Sequence, residues 1–193
     1  MKTALFSVLV AILSLTSASP VPEDENQHIS FAVTTERPST TTVSLADSHK
    51  DLSSVCVTMT PAHNRSEAQT TPAPYVVSVS TTKVAPNGVV YVQVTGKENQ
   101  QFRGFYVQAR NENEEPVGEF MPTDAQYVSF HSCGAGQNNA ASYVSRIPIS
   151  DFSLGWFAPE QPTKIRFVVT FVETFSTFWI GVTSPQVTVE NRH

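Results

Sequence analysis

The sequence predicts an all-β domain built as a two-sheet antiparallel sandwich, and three observations carry that expectation. From Gly104 to Arg110 the residues alternate strictly, with Phe105, Val107 and Ala109 on one side and Tyr106, Gln108 and Arg110 on the other. This period of two belongs to a half-buried strand, whose apolar side needs a second layer to cover it. Shorter runs of the same kind recur along the chain, separated by clusters of turn-forming residues. Beyond the N-terminal apolar segment there is no long stripe of period 3.6, so the second layer is expected to be another sheet.

Taken in order, residues 1–18 read as a secretory signal: Lys2 precedes an apolar run over residues 5–13, and the small residues Ser17, Ala18 and Ser19 follow. That run is too short to span a bilayer, and no later stretch reaches the roughly 20 apolar residues a spanning helix needs, so no transmembrane anchor is expected. Residues 19–52 carry Glu23, Asp24 and Glu25 and then Thr34, Thr35, Ser39, Thr40, Thr41 and Thr42, with almost no aromatic residue. Such a segment cannot bury enough apolar surface to offset the entropy of ordering it and reads as a disordered arm. Residues 53–190 are then one domain, large enough for a single core.

Within the domain, Tyr75, Val77 and Val79 alternate with Val76, Ser78 and Ser80, and Val90, Val92 and Val94 alternate with Tyr91, Gln93 and Thr95. Ile165, Phe167, Val169 and Phe171 repeat the pattern, and Val187 with Val189 closes it. Pro86-Asn87-Gly88, Gly134-Ala135-Gly136, Pro159 to Pro162 and Ser184-Pro185 supply turns between the runs. Seven or eight short strands are expected. Trp156 and Trp179 are read as core, with exposed platforms for sugar rings as the alternative.

The block Phe102-Arg103-Gly104-Phe105-Tyr106-Val107-Gln108-Ala109-Arg110 also resembles a signature of the reeler domain, the N-terminal module of reelin and of spondin-like proteins. Further landmarks follow in the family's order: Cys56, Met59-Thr60-Pro61 with His63, Pro72-Ala73-Pro74-Tyr75, Val117-Gly118, Cys133, Trp156 with Ala158-Pro159, and Phe178-Trp179. The resemblance implies an immunoglobulin-like antiparallel β-sandwich. Small secreted proteins that are little more than one such domain are described in insects as defence proteins, so it also implies an extracellular, innate-immune role. The arm over residues 19–52 is longer than the short lead expected of those proteins.

The two cysteines of a chain with a secretory signal are expected to form one disulfide, Cys56 to Cys133. It would close a loop of about 78 residues, for which chain entropy assigns on the order of 4 kcal/mol. Asn64-Arg65-Ser66 is an N-glycosylation sequon. Cys56, His63, His131 and Cys133 together resemble a zinc set, but tetrahedral zinc needs thiolates and a disulfide removes them, so neither metal nor cofactor is expected. No Gly-x-Ser-x-Gly elbow, phosphate-cradling glycine loop or His-Glu-x-x-His pair is present, and catalysis is not expected. The formal charge of −5 lacks the basic footprint of a nucleic-acid binder.

The function that the reeler resemblance implies is a secreted, non-enzymatic binder of microbial surface components such as lipopolysaccharide, lipoteichoic acid or glucan. Binding of that kind needs cations for phosphates beside apolar or aromatic groups for acyl chains or sugars, and Arg103, Arg110, Lys164 and Arg166 are the candidate cations. The alternative is a structural or adhesive extracellular-matrix component with the Thr-rich arm as a spacer. A direct antimicrobial action is the weakest reading, because the net charge is negative and no cationic amphipathic helix is found.

Overall fold

The computed structural model describes residues 54–61 and 66–191. The signal, the arm, His63 and Asn64 lie outside these residues. Eleven strands follow in order: β1 (Tyr75–Val79), β2 (Lys83–Val84), β3 (Val89–Gly96), β4 (Gly104–Asn111), β5 (Glu119–Phe120), β6 (Val128–His131), β7 (Ala140–Tyr143), β8 (Asp151–Phe157), β9 (Thr163–Thr174), β10 (Thr177–Thr183) and β11 (Val187–Val189). Five of them have four residues or fewer, too short to show a period in sequence, which is why the alternation pattern predicts a smaller number.

Two sheets form. The first has the order β1-β3-β8-β5, and the second β2-β11-β9-β4-β7-β6, with β10 also pairing β9. Every pairing is antiparallel except the two-residue contact of β11 with β2, which is parallel. β9 is the backbone of the second sheet: it pairs along eight residues with β4, from Gly104 opposite Val172 to Asn111 opposite Ile165, and its other edge is shared by β11 and β10.

The inner faces meet as the alternation predicts. Val90, Val92, Val94, Leu154 and Trp156 from the first sheet pack against Phe105, Val107, Ile165, Phe167 and Phe171 from the second, all almost fully buried. Tyr75 stacks on Phe171, with ring centroids 4.5 Å apart, and Trp156 meets Phe167 edge to face. Both tryptophans belong to this core. Their indole N–H groups donate to the carbonyls of Val117 and Thr71, so each ring is buried with its one donor satisfied.

The outer face of the second sheet departs from the sequence expectation. Tyr106 and Gln108 fall on the polar side of β4, yet Gln108 is fully buried and Tyr106 nearly so. The cover comes from some 50 residues upstream: residues 54–58 make a single helical turn that lies on this face. Met59 follows with a left-handed backbone (φ 56°) and forms a second small core with Tyr106, Cys133 and Ala140. The Thr170 hydroxyl donates to the Met59 carbonyl at 2.7 Å and ties this segment to β9.

Candidate functional site

The covering turn is fastened by Cys56 and Cys133, which are joined as a disulfide with their Cα atoms 5.6 Å apart. Beneath it lies a polar network that satisfies what the turn buries. The Gln108 amide nitrogen donates to the Cys56 carbonyl at 3.1 Å and to the Tyr106 hydroxyl at 3.0 Å. Arg110 donates from Nε to Gln108 Oε1 at 2.8 Å, and from one terminal nitrogen to the carbonyls of Cys56 and Val57 at 2.9 and 3.0 Å. Its side chain is 12% exposed and its other terminal nitrogen lies 3.6 Å from Glu114. The guanidinium therefore holds the turn in place, against the expectation that Arg110 projects into solvent for a ligand.

The same turn covers the outer face only in part, and a cavity of about 570 Å³ remains beside it. Its floor is the outer face of three adjacent strands, where Gly104, Ser142 and Thr170 are too small to fill the space. Val55, Met59 and Pro61 line it from the covering segment, and Val144 and Arg146 from the loop after β7. Phe175, at the tip of the β9–β10 hairpin, and Arg103, just before β4, complete the lining. Among the described residues no carboxylate lines the cavity. Arg103 and Arg146 are both exposed, and among the described residues neither has an ion-pair partner.

Thus of the four candidate cations, the structure sets one at this cavity and removes three to the far end of the strands. Arg103 and Arg110 stand seven residues apart along one chain segment, roughly 23 Å at the rise of an extended strand. Lys164 and Arg166 stay exposed at the Arg110 end, where Arg166 pairs with Arg110 in register and Lys164 lies 4.0 Å from Glu112. Arg146 is the functional candidate that sequence reasoning misses, since it sits in an irregular loop with no periodicity to mark it. Tyr91 and Phe157 are exposed aromatics of the first sheet, and Tyr106 is buried.

His131 lies at the cavity wall, its Nε2 2.7 Å from the Ser142 hydroxyl. Burial holds its pKa below the usual histidine value, so the ring stays neutral near physiological pH. A Ser–His contact resembles half of a nucleophilic site, but β7 lies between β4 and β6, and its backbone N–H groups are engaged by those strands. The pair reads as a satisfied polar contact between neighbouring strands. Among the described residues no cluster of His, Cys, Asp and Glu is arranged for a metal, and the two sulfurs of the zinc-like set are bonded to each other. Among them, too, no helix is long and apolar enough to cross a membrane.

The domain is thus a sandwich with a disulfide-fastened cover on one face and a largely apolar cavity beside it. The chain belongs to the Reeler domain family, whose match covers residues 54–193. It is 37% identical over 140 residues to a protein of Locusta migratoria named "Putative defense protein", covering 71% of this chain and 78% of that one. It is 31% identical over 140 residues to "Ferric-chelate reductase 1" of Mus musculus, covering 70% of this chain but only 23% of the reductase. Among solved structures it resembles the human F-spondin reeler domain, with a TM-score of 0.55 and 17% identity over 67% of this chain and 96% of that one, a likeness of fold.

Proposed function

We propose that this chain is a secreted, non-enzymatic defence protein that binds microbial surface components, with lipopolysaccharide, lipoteichoic acid and glucan as the ligands to test. One observation carries the reading: an apolar cavity bordered, among the described residues, by two arginines without ion-pair partners and by no carboxylate, in a chain whose formal charge is −5. Microbial envelope amphiphiles present phosphates attached to acyl chains. A site for them needs cations beside apolar surface, and here the two are adjacent although the chain as a whole is acidic. The naming of a similar locust protein as a defense protein supports the same role, and the Cys56–Cys133 disulfide suits an oxidising, extracellular compartment.

Arg103 keeps the binding role expected of it, and Arg146 replaces Arg110. The test is co-sedimentation of the purified mature protein with whole bacteria and fungi, followed by binding to immobilised lipopolysaccharide, lipoteichoic acid and glucan over a salt series. Binding to a microbial surface, weakening as salt rises, is the expected result. Failure on every microbial surface together with retention on extracellular-matrix preparations would overturn the reading in favour of an adhesive role.

A further inference from the structure

We infer that the cavity is a site for a single acyl chain bearing a phosphate head, with the chain on the outer face of the second sheet and the phosphate engaging Arg103 and Arg146. This rests on the reading above that the cavity is the ligand site, and it narrows the ligand to one chemistry. The volume of about 570 Å³ lies inside the range of roughly 300–1,000 Å³ occupied by small-ligand sites. Its apolar surface continues outward to Val144, which is 43% exposed.

The head group follows from the two arginines. A carboxylate has two oxygens, and one guanidinium fork satisfies both; a phosphate monoester offers three terminal oxygens and can engage two forks. Arg146 is also held with a left-handed backbone (φ 61°), a conformation that residues other than glycine seldom adopt and that gathers at ligand clamps. On the other side of Arg103 lies a polar hollow lined by Glu98 and Glu173. Those carboxylates repel a phosphate there and favour its approach from the cavity side.

The experiment is isothermal titration calorimetry of the full mature chain with octyl, decyl and dodecyl phosphate, each below its micelle-forming concentration, with inorganic phosphate, dodecanol and dodecanoate as comparisons. Burial of a methylene contributes about 0.8 kcal/mol, so affinity should rise roughly four-fold per methylene until the cavity is full. The R103A/R146A double variant should bind dodecyl phosphate at least ten-fold more weakly with an unchanged unfolding midpoint. Val172→Phe, which fills the floor, should shorten the chain length at which affinity stops rising. Affinity independent of chain length would overturn the proposal, as would equal binding of dodecanoate and dodecyl phosphate or an R103A/R146A variant that binds like the parent. If alkyl phosphates bind as expected but no microbial surface is bound, the defence reading fails and the site assignment stands. If the double variant still binds microbial surfaces fully, the site assignment fails and the defence reading stands.

Discussion

Arg103 and Arg110 stand at the two ends of one strand segment and have the same side chain, yet they do opposite things. Arg110 is nearly buried, with its donors aimed at the carbonyls of Cys56 and Val57 and at Gln108. Arg103 is exposed beside an apolar cavity, with no ion-pair partner among the described residues. The difference comes from where the covering turn lies on the outer face of the second sheet. Under the turn, backbone carbonyls need donors and an arginine becomes part of the fold; beyond it, nothing claims the charge and an arginine is available to a ligand. Charge on a strand is therefore a poor guide to function until the neighbouring layer is known.

The largest effect should come from releasing the cover itself. Replacing Cys56 and Cys133 together by Ala should cost about 2–5 kcal/mol in urea unfolding, the range found for native disulfides of small secreted domains. Arg110→Ala comes next, at about 1–3 kcal/mol, because it leaves the Val57 carbonyl and the Gln108 oxygen without their donor and the Cys56 carbonyl with only that of Gln108. The R103A/R146A variant should stay within about 0.5 kcal/mol of the parent, as exposed substitutions do. A loss of stability there equal to that of Arg110→Ala would erase the contrast between the two ends of the strand.

A pH titration sharpens the same contrast from the cavity side. His131 is favoured as the neutral ring by burial, so its folded pKa lies below the unfolded value of roughly 6.5. Above that pH both states carry a neutral ring and stability is unaffected. As pH falls through it the unfolded chain binds the proton first, and stability declines until the folded pKa is also passed. His131→Gln should remove that segment of the stability profile while leaving the carboxylate-driven loss at lower pH. An identical profile for parent and variant between pH 7 and 5 would show that the ring is solvated.

Much of the inner core is legible in the sequence because a period of two has one meaning when both sheets bury the same side: Phe105, Val107, Val92 and Phe167 all fall where alternation puts them. The disulfide is legible from the cysteine count together with an N-terminus that reads as a secretory signal. The outer face is not, since alternation assigns Tyr106 and Gln108 to the polar side of β4 and cannot tell that residues 54–61 fold back over them. Local pattern carries no signal for a contact made 50 residues away. Arg146 is hidden for a related reason, lying in a loop whose shape depends on the strands it joins. Arg103 is named as a candidate only because it adjoins a readable strand, and the same rule names Arg110, whose bonds to the covering turn the local pattern does not foretell.

Lys164 and Arg166 give the smallest expected effect and the cleanest check on which end of the sheet matters. Both side chains are exposed; Lys164 reaches only to Glu112, 4.0 Å away, and Arg166 sits beside Arg110, which is itself engaged. Exposed pairs of this kind contribute little, because water screens them and two long side chains lose entropy in holding one geometry. K164A/R166A should therefore change stability by less than about 0.5 kcal/mol. It should also leave binding to lipopolysaccharide and to dodecyl phosphate at the parent level, since the hollow at that end already holds Glu112 and Glu114 beside the cations. Those carboxylates oppose an anion where the cavity near Arg103 has none. If instead this variant loses binding and R103A/R146A keeps it, the ligand is held by a mixed-charge surface at the Arg110 end. The apolar cavity would then have no part in recognition, and a head group alone, without an acyl chain, would be the chemistry to pursue.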